Sequence, residues 1–514
     1  MESADHHQEP QVNTFYDIAA EHPDRIAVIT PDGRPVSFGR LAARANQLTH
    51  ALRALGLGVG DGVTMIVHNG LTYYEMVFAT LQAGMYVTPV NYRSTPEEIG
   101  YIVRDSEAAA VIADAGIAAA CTSTMDDLGV PDERRFSVGG TENWSDYAEW
   151  GADEPETVPA QRTSGATMLY TSGTTGRPKG VRRPLSGKPP ALHPSYQHVM
   201  ELLGVSPGTG VHLVPCPLYH GAPGGYSINS LHLGHTVVLM SRFDAEETLR
   251  LIERHRVTTT HLVPTMLHRL LRLPEEVRAR YDLSSLTSVM HGAAPCPREV
   301  KERMIAWLGP IVTEYYGASE GMVSVVSSDE WLAAPGTLGR PLPGVRVKVL
   351  GEDGGPLPPG ETGTLYFSSA HTNLGYHRDP EKTAASRSGE FLTVGDAGYL
   401  DAEGRVFLRD RRTDLILSGG VNIYPAEIEA RLLSHPDVAD VAVIGEPDEE
   451  WGQRVVAVVQ PVGSVAGDDA LAERLGEHCR AALAGFKTPR RFEFRDRLPR
   501  TDSGKMLRRA LRPE

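Results

Sequence analysis

The sequence predicts an α/β protein. A large N-terminal domain built from several parallel α/β sheets and a small β subdomain precedes a small, mobile α+β lid domain at the C-terminus. Three observations carry this expectation. Helical and strand-like apolar patterns alternate from Asn13 to Ile117 and again over about 196–310, as they do when helices cross between parallel strands. β-rich segments bounded by Gly and Pro follow before residue 400. A dense charge run, Arg409-Asp410-Arg411-Arg412-Thr413-Asp414, then sets off a further stretch of about a hundred residues, enough to fold and move on its own. At 514 residues the chain exceeds one small core. The predicted division is 1–410, a hinge at 411–414 and a lid at 415–514.

In chain order, Phe38 to Leu55 places Leu41, Ala45, Leu48, Leu52 and Leu55 on one helical face. The glycine-dense turn Gly56–Gly62 follows a helix rather than a strand, which excludes a dinucleotide fingerprint. Val63–Val67 reads as a strand and Tyr73–Ala83 as a helix, and residues 138–165, rich in Gly, Glu, Asp and Pro, read as a surface connection. Strands are expected at Leu286–Met290, Ile311–Tyr315 and Met322–Val326, and in the β subdomain at Val345–Val349 and Gly363–Ser368. Beyond the charge run, Pro425 opens a helix to Leu433 at its first turn. Strands at Val438–Ile444 and Arg454–Gln460 and a helix at Ala470–Leu483 complete the lid.

Composition narrows the function. Hydrophobic content of 41% and charged content of 22% are those of a globular protein. A net charge of −15 argues against a nucleic-acid partner, so an anionic ligand would be met by local positive groups. Cys121, Cys216, Cys296 and Cys479 are scattered without a C-x-x-C pair, which fits a reduced cytoplasm and no zinc ribbon. The polar N-terminus Met-Glu-Ser-Ala-Asp-His-His carries no secretory pattern. The most apolar early stretch, Ala108–Cys121, is interrupted by Asp114 and too short to span a bilayer. A cytoplasmic monomer or homodimer without an integral membrane segment is expected.

The chemistry concentrates in Met168-Leu169-Tyr170-Thr171-Ser172-Gly173-Thr174-Thr175-Gly176-Arg177-Pro178-Lys179-Gly180-Val181. Thr171, Ser172, Thr174 and Thr175 supply hydroxyl donors, while Gly173, Gly176 and Gly180 let backbone N–H groups approach an anion. Such a loop wraps polyphosphate. A Walker A loop needs Gly before its Lys and Ser or Thr after it, and Lys179 lies between Pro178 and Gly180.

The string resembles the phosphate loop of the adenylate-forming superfamily, the AMP-dependent synthetases and ligases that include acyl- and aryl-CoA synthetases, and further matches follow in the family's order along nearly the whole chain. The resemblance implies ATP, Mg2+ and coenzyme A as cofactors and a small-molecule carboxylic acid as substrate. It assigns Thr171 and Lys179 to the phosphates. His220, after Pro217-Leu218-Tyr219, becomes a gate or carboxylate-orienting residue beside an acyl pocket whose wall includes Gly221, Ala222, Gly224 and Gly225. His291-Gly292-Ala293-Ala294-Pro295 would border adenine and the acyl group, its small side chains letting a flat ring lie on backbone. In Glu314-Tyr315-Tyr316-Gly317-Ala318-Ser319-Glu320-Gly321, Tyr316 would stack on adenine, with Gly317 beside it, Ser319 on phosphate and Glu320 on Mg2+. Asp396, between Gly395 and Ala397-Gly398, would accept the ribose hydroxyls, and Arg411 would reach ribose and phosphate. Gly419 and Gly420 would enter beside a pantetheine tunnel when the lid turns, and Lys505, ending Pro-Arg-Thr-Asp-Ser-Gly-Lys, would bridge the substrate carboxylate and α-phosphate. The hinge departs from the family pattern: Thr413 stands where Asp or Lys is common.

Other readings remain open at this level. Gly317-Ala318-Ser319-Glu320-Gly321 satisfies G-x-S-x-G, the serine-hydrolase elbow, which requires a helix after the serine. Within the same family, the acceptor could be a carrier protein, or the activated oxyanion nitrite with an aryl amine as acceptor. A silent nucleotide-binding protein is a third class.

Overall fold

The computed structural model describes residues 14–171, 178–191, 194–369, 375–411, 414–418, 421–448, 451–501, 504 and 506–511. Its chain contacts fall into two compact units, one comprising Met1–His261, Glu275–Val289 and Leu374–Thr383, the other Leu262–Pro274, Met290–Asn373 and Ala384–Glu514.

The first unit holds the predicted parallel sheets. Gly62–Ile66 pairs in parallel with Tyr86–Pro89 and Ala108–Asp114, and the sheet continues in parallel to Arg135–Val138, Ser145–Asp146 and, at its other edge, Ala166–Thr167. Helix Phe38–Ala54 leads into the first of these strands, and Leu71–Gln82, Pro96–Asp105 and Ala115–Asp127 connect them. Ser37 and Thr95 start two of them by accepting backbone N–H bonds from Arg40 and Glu98. A second parallel group orders Ile26–Ile29, Thr236–Leu239, Val211–Val214 and the start of Thr259–Leu262. One core unites the two sheets' helices, with Phe15 stacked on Phe78 at 3.7 Å between ring centroids.

Segment 138–165 is more than a surface connection. Trp144 and Tyr147 are buried, the Tyr147 hydroxyl donates to Glu75 (2.9 Å), and Arg44 donates to the Tyr147 carbonyl (2.8 Å). Aromatic anchors spaced through a polar stretch outweigh its Gly/Asp/Pro composition.

In the second unit, Gly363–Ser368 pairs antiparallel with Arg346–Leu350, Phe391–Leu392 and Asp396–Leu400, and the last of these pairs with Val406–Arg411. The β subdomain therefore runs beyond residue 400 into the charge run. Further on, Val438–Asp448 and Gly452–Pro461 form an antiparallel pair, with Arg491–Phe494 parallel to the latter. Helices Pro425–Leu433 and Asp469–Arg480 close over a core that includes Ile416, Ile428, Leu432, Val441, Ala457 and Leu475. Every member of that core lies C-terminal to residue 415.

Candidate active site

In the first unit the phosphate-loop string closes an antiparallel hairpin. Leu169–Thr171 pairs with Lys179–Arg182, and Thr171 stands directly opposite Lys179. Ser172, Gly173, Thr174, Thr175 and Gly176 lie outside the described residues. The chain leaves the loop as a strand, whereas a Walker A loop leads into a helix N-terminus, so the topology agrees with the spacing in excluding one. The base of the hairpin is tied down on both sides: the Tyr170 hydroxyl donates to Asp105 (2.6 Å) and the Tyr101 hydroxyl to the Pro178 carbonyl (3.0 Å). Lys179 Nζ forms an ion pair with Asp379 at 2.6 Å.

His220 occupies the N-cap position of helix Gly221–His232. The turn before it is fixed by Asn69, a buried residue that sequence reading missed. The Asn69 side chain donates to the carbonyls of Cys216 and Met240 (3.0 Å each) and accepts from the Leu218 N–H (2.9 Å). The rings of Tyr219 and His220 lie 4.3 Å apart. Burial, and then the nearby His220, pushes His261 down to about 3, so its imidazole is neutral at physiological pH. The small residues of the expected pocket wall differ among themselves. A side chain at Gly221 would strike Leu169, and one at Gly224 would strike Tyr73 and the Leu218 carbonyl, so both serve close packing. Gly225 alone of the three has nothing within 4 Å of a Cβ. Ala222 is half-buried beside them.

In the second unit, His291 ends the strand Ser288–His291 and is fully buried. Gly292 follows with backbone packed on Tyr315, whose ring would lie 2.6 Å from an added Cβ. Ala293 has φ +67, an uncommon conformation for a residue with a side chain and one that recurs at functional turns. Ala294 continues the turn. Val312–Ala318 and Gly321–Val326 form a hairpin with an irregularity between Tyr316 and Gly317, and Ser319 and Glu320 form its two-residue tip. Ser319 thus sits between two antiparallel strands. The helix that a nucleophile elbow requires is replaced by a strand, which removes the hydrolase reading.

The Tyr316 hydroxyl donates to Asp396 Oδ2 at 2.8 Å, with both side chains buried. Asp396 begins its strand, and its register partner across the sheet is Arg411. Three candidates far apart in sequence are therefore linked, Asp396 and Arg411 by strand register and Tyr316 by a side-chain hydrogen bond from a different sheet. Glu320 is buried at the hairpin tip. Among the described residues no three His, Cys, Asp or Glu side chains cluster as a metal cage. A single carboxylate fits Mg2+, which takes one or two protein carboxylates and completes its shell with phosphate oxygens and water.

Behind the hairpin lies a buried charge cluster that carried no sequence signal. Lys301 Nζ is 2.6 Å from Glu314 Oε2, His291 Nε2 is 3.9 Å from the same oxygen, and Lys301 lies 5.0 Å from the centre of the Trp331 ring.

Gly419, Gly420, Thr413 and Lys505 lie outside the described residues. Around them, Ser418 pairs with Val421, and Arg500 grips Asp440 with Nε and Nη2 (2.6 Å each) while its Nη1 donates to the Gly504 carbonyl (2.6 Å).

Residues 15–377 match the model of the AMP-binding enzyme family, and residues 427–505 match the AMP-binding enzyme C-terminal domain. The chain belongs to the AMP-binding enzyme family. It is an adenylate-forming, AMP-forming ligase of the acyl-CoA synthetase type. Enzymes of this family use ATP with Mg2+, and their acid–CoA ligases also use coenzyme A. This AMP-binding enzyme is 33% identical to the fatty acid–[acyl-carrier-protein] ligase ScoC of Streptomyces coeruleorubidus, covering 99% of the chain and 97% of that protein. It is 35% identical to a feruloyl-CoA synthase of Amycolatopsis sp., covering 93% and 94%. Among solved structures, the o-succinylbenzoate CoA synthetase of Bacillus subtilis in complex with its acyl-adenylate intermediate superimposes with a TM-score of 0.79 at 30% identity, covering 98% of each chain. Among the described residues no helix is long and apolar enough to cross a membrane.

Proposed function

We propose that the enzyme activates a small-molecule carboxylic acid, aryl or medium-to-long acyl, to an acyl-adenylate and transfers the acyl group to coenzyme A, releasing AMP and pyrophosphate. The observation that carries this reading is the buried Tyr316–Asp396 hydrogen bond with Arg411 opposite Asp396 in the sheet. A carboxylate fixed at one oxygen by a phenol is oriented to accept from a vicinal diol, and the tyrosine ring beside it offers a face for a base.

Under this reading Thr171 to Lys179 hold the polyphosphate, with Gly292, Ala293, Ala294, Tyr316 and Gly317 at the base and acyl group and Ser319 at phosphate. His220 orients the substrate carboxylate, and the open space beside Gly225 leaves room for the acyl group. Glu320 would hold Mg2+, which would neutralise charge at the leaving phosphates. Lys505 draws carboxylate and α-phosphate together, so that positioning and electrostatics carry the rate. Residues 415–514 then act as a lid turning about 411–414, withdrawing Lys505 and bringing in Gly419 and Gly420 for thiol attack. A separate C-terminal core supports that division. Four free cysteines, three of them buried, support a reducing cytoplasmic setting, with the enzyme a monomer or homodimer.

The likeness to ScoC favours a second reading of the acceptor, a carrier protein in place of coenzyme A. Nitrite activation with an aryl amine as acceptor is a further variant on the same scaffold. Acid-dependent exchange of labelled pyrophosphate into ATP, measured over a panel of acids and over nitrite with aryl amines, tests the first step. Product formation with coenzyme A omitted or replaced by a carrier protein tests the second. Absence of exchange with every acid, in protein that binds ATP, refutes the proposal.

A further inference from the structure

We propose that Asp379 is a positioning residue of the polyphosphate loop: a counter-ion that holds Lys179 in the absence of nucleotide and competes with polyphosphate for it. The inference rests on the reading of residues 171–179 as that loop.

Asp379 reaches Lys179 because Gly375–Tyr376 adds a third strand to the loop hairpin. Tyr376 pairs with Val181 and Gly375 with Arg182, and the His377 N–H donates to the Gly180 carbonyl at 2.8 Å. The carboxylate is fixed independently of the lysine. Its Oδ1 accepts the Lys382 N–H (2.9 Å) at the start of the helix Pro380–Ala385, and Thr383 donates its hydroxyl to the Asp379 carbonyl (2.9 Å) while accepting the Tyr376 N–H (2.9 Å). Its other oxygen, Oδ2, takes Lys179 Nζ at 2.6 Å. The lysine ammonium also lies 5.9 Å from the centre of the Tyr376 ring.

Neighbouring charges sort into separate partnerships. Glu107 lies near Arg182 (3.7 Å), the neutral ring of His377 (3.4 Å) and Arg378 (3.8 Å), while Asp379 pairs with Lys179 and also feels the Lys382 charge. The Lys179 hydrogen bond, followed by the Lys382 amide, holds the Asp379 carboxyl below the usual carboxylate range, so it remains ionised at neutral pH. A polyphosphate that recruits Lys179 must share or break this pair, and its affinity is lowered by the difference. A loop lysine discounted in this way releases pyrophosphate more readily, a step that often limits turnover in enzymes with moving domains.

Asp379→Asn retains a side chain suited to capping the helix and removes the charge. Titration of the full-length enzyme with Mg2+–pyrophosphate in a calorimeter should show a Kd about two- to fivefold lower than wild type, the size of a partly exposed ion pair. The gain should shrink as salt is raised. Asp379→Ser, which also caps without charge, should move Kd in the same direction. In a Lys179→Met background neither substitution should change it further. Unchanged or weaker pyrophosphate binding in both variants, at an unchanged thermal midpoint, overturns the inference. Unchanged pyrophosphate binding in Lys179→Met itself refutes the loop reading and the inference with it.

Discussion

Lys301→Met tests the buried pair behind the hairpin of Val312–Ala318 and Gly321–Val326. Lys301 is fully buried and Glu314 nearly so, and they meet at 2.6 Å. Methionine preserves most of the lysine's length but leaves a carboxylate buried without its cation. Breaking such a pair typically costs about 3–5 kcal/mol. At about 2–4 °C per kcal/mol for domains of 150–250 residues, the unfolding midpoint should fall by roughly 6–20 °C. The pH dependence has a definite sign. Burial raises the Glu314 pKa, with Lys301 opposing the rise; without Lys301 it should rise further. A carboxyl whose folded pKa lies above its unfolded value loses stability as pH increases through that window. The deficit of Lys301→Met should therefore be larger at pH 8 than at pH 5.5. Replacing both residues, Lys301→Met with Glu314→Leu, should recover most of the loss. Scanning calorimetry at the two pH values is the assay. A deficit that grows towards low pH, or a double variant less stable than Lys301→Met, refutes the reasoning.

Tyr316→Phe keeps an aromatic face but removes the donor to Asp396; a hydrogen bond to a charged group is worth about 1.5–3 kcal/mol, so kcat/KM for ATP should fall by about 10- to 100-fold, measured by initial rates at saturating acid. Asp440→Asn loosens the Arg500 fork beside Gly504, and under the reading of Lys505 as the adenylation lysine it should lower pyrophosphate exchange by about tenfold or more while sparing thioester formation from supplied acyl-adenylate; equal loss in both half-reactions would show the fork to be merely structural. Gly225→Leu should shift the accepted acids towards smaller ones with little change in thermal midpoint, whereas Gly224→Ala should lower that midpoint because its methyl group meets Tyr73, and an acid panel with parallel melts separates the two.

The fold was legible where periodicity is local. Helix Pro425–Leu433 and strand Gly363–Ser368 have the predicted bounds, because a proline at the first helical turn and β-branched or aromatic residues between Gly and Pro turns act within a few residues. The candidate site residues are readable as a set of strings whose order resembles the family's. What the strings do not contain is the partner each candidate finds across the sheet. Asp396 between glycines looks like a turn, yet it starts a strand, and only the antiparallel register brings Arg411 opposite it. Lys301 reads as a surface charge on the helix Arg298–Leu308, since nothing nearby marks position 314 of the next strand as its counter-ion. Asn69 and Asp379 are ordinary loop residues until Cys216, Met240 and Lys179 arrive from more than a hundred positions away. The residues lost to sequence reading share one property: they hold another side chain or carbonyl in place by a long-range polar contact. Such contacts leave no period and no motif in the chain, so variants at Asp379, Asp440 and Lys301 probe the part of this enzyme that its family resemblance does not supply.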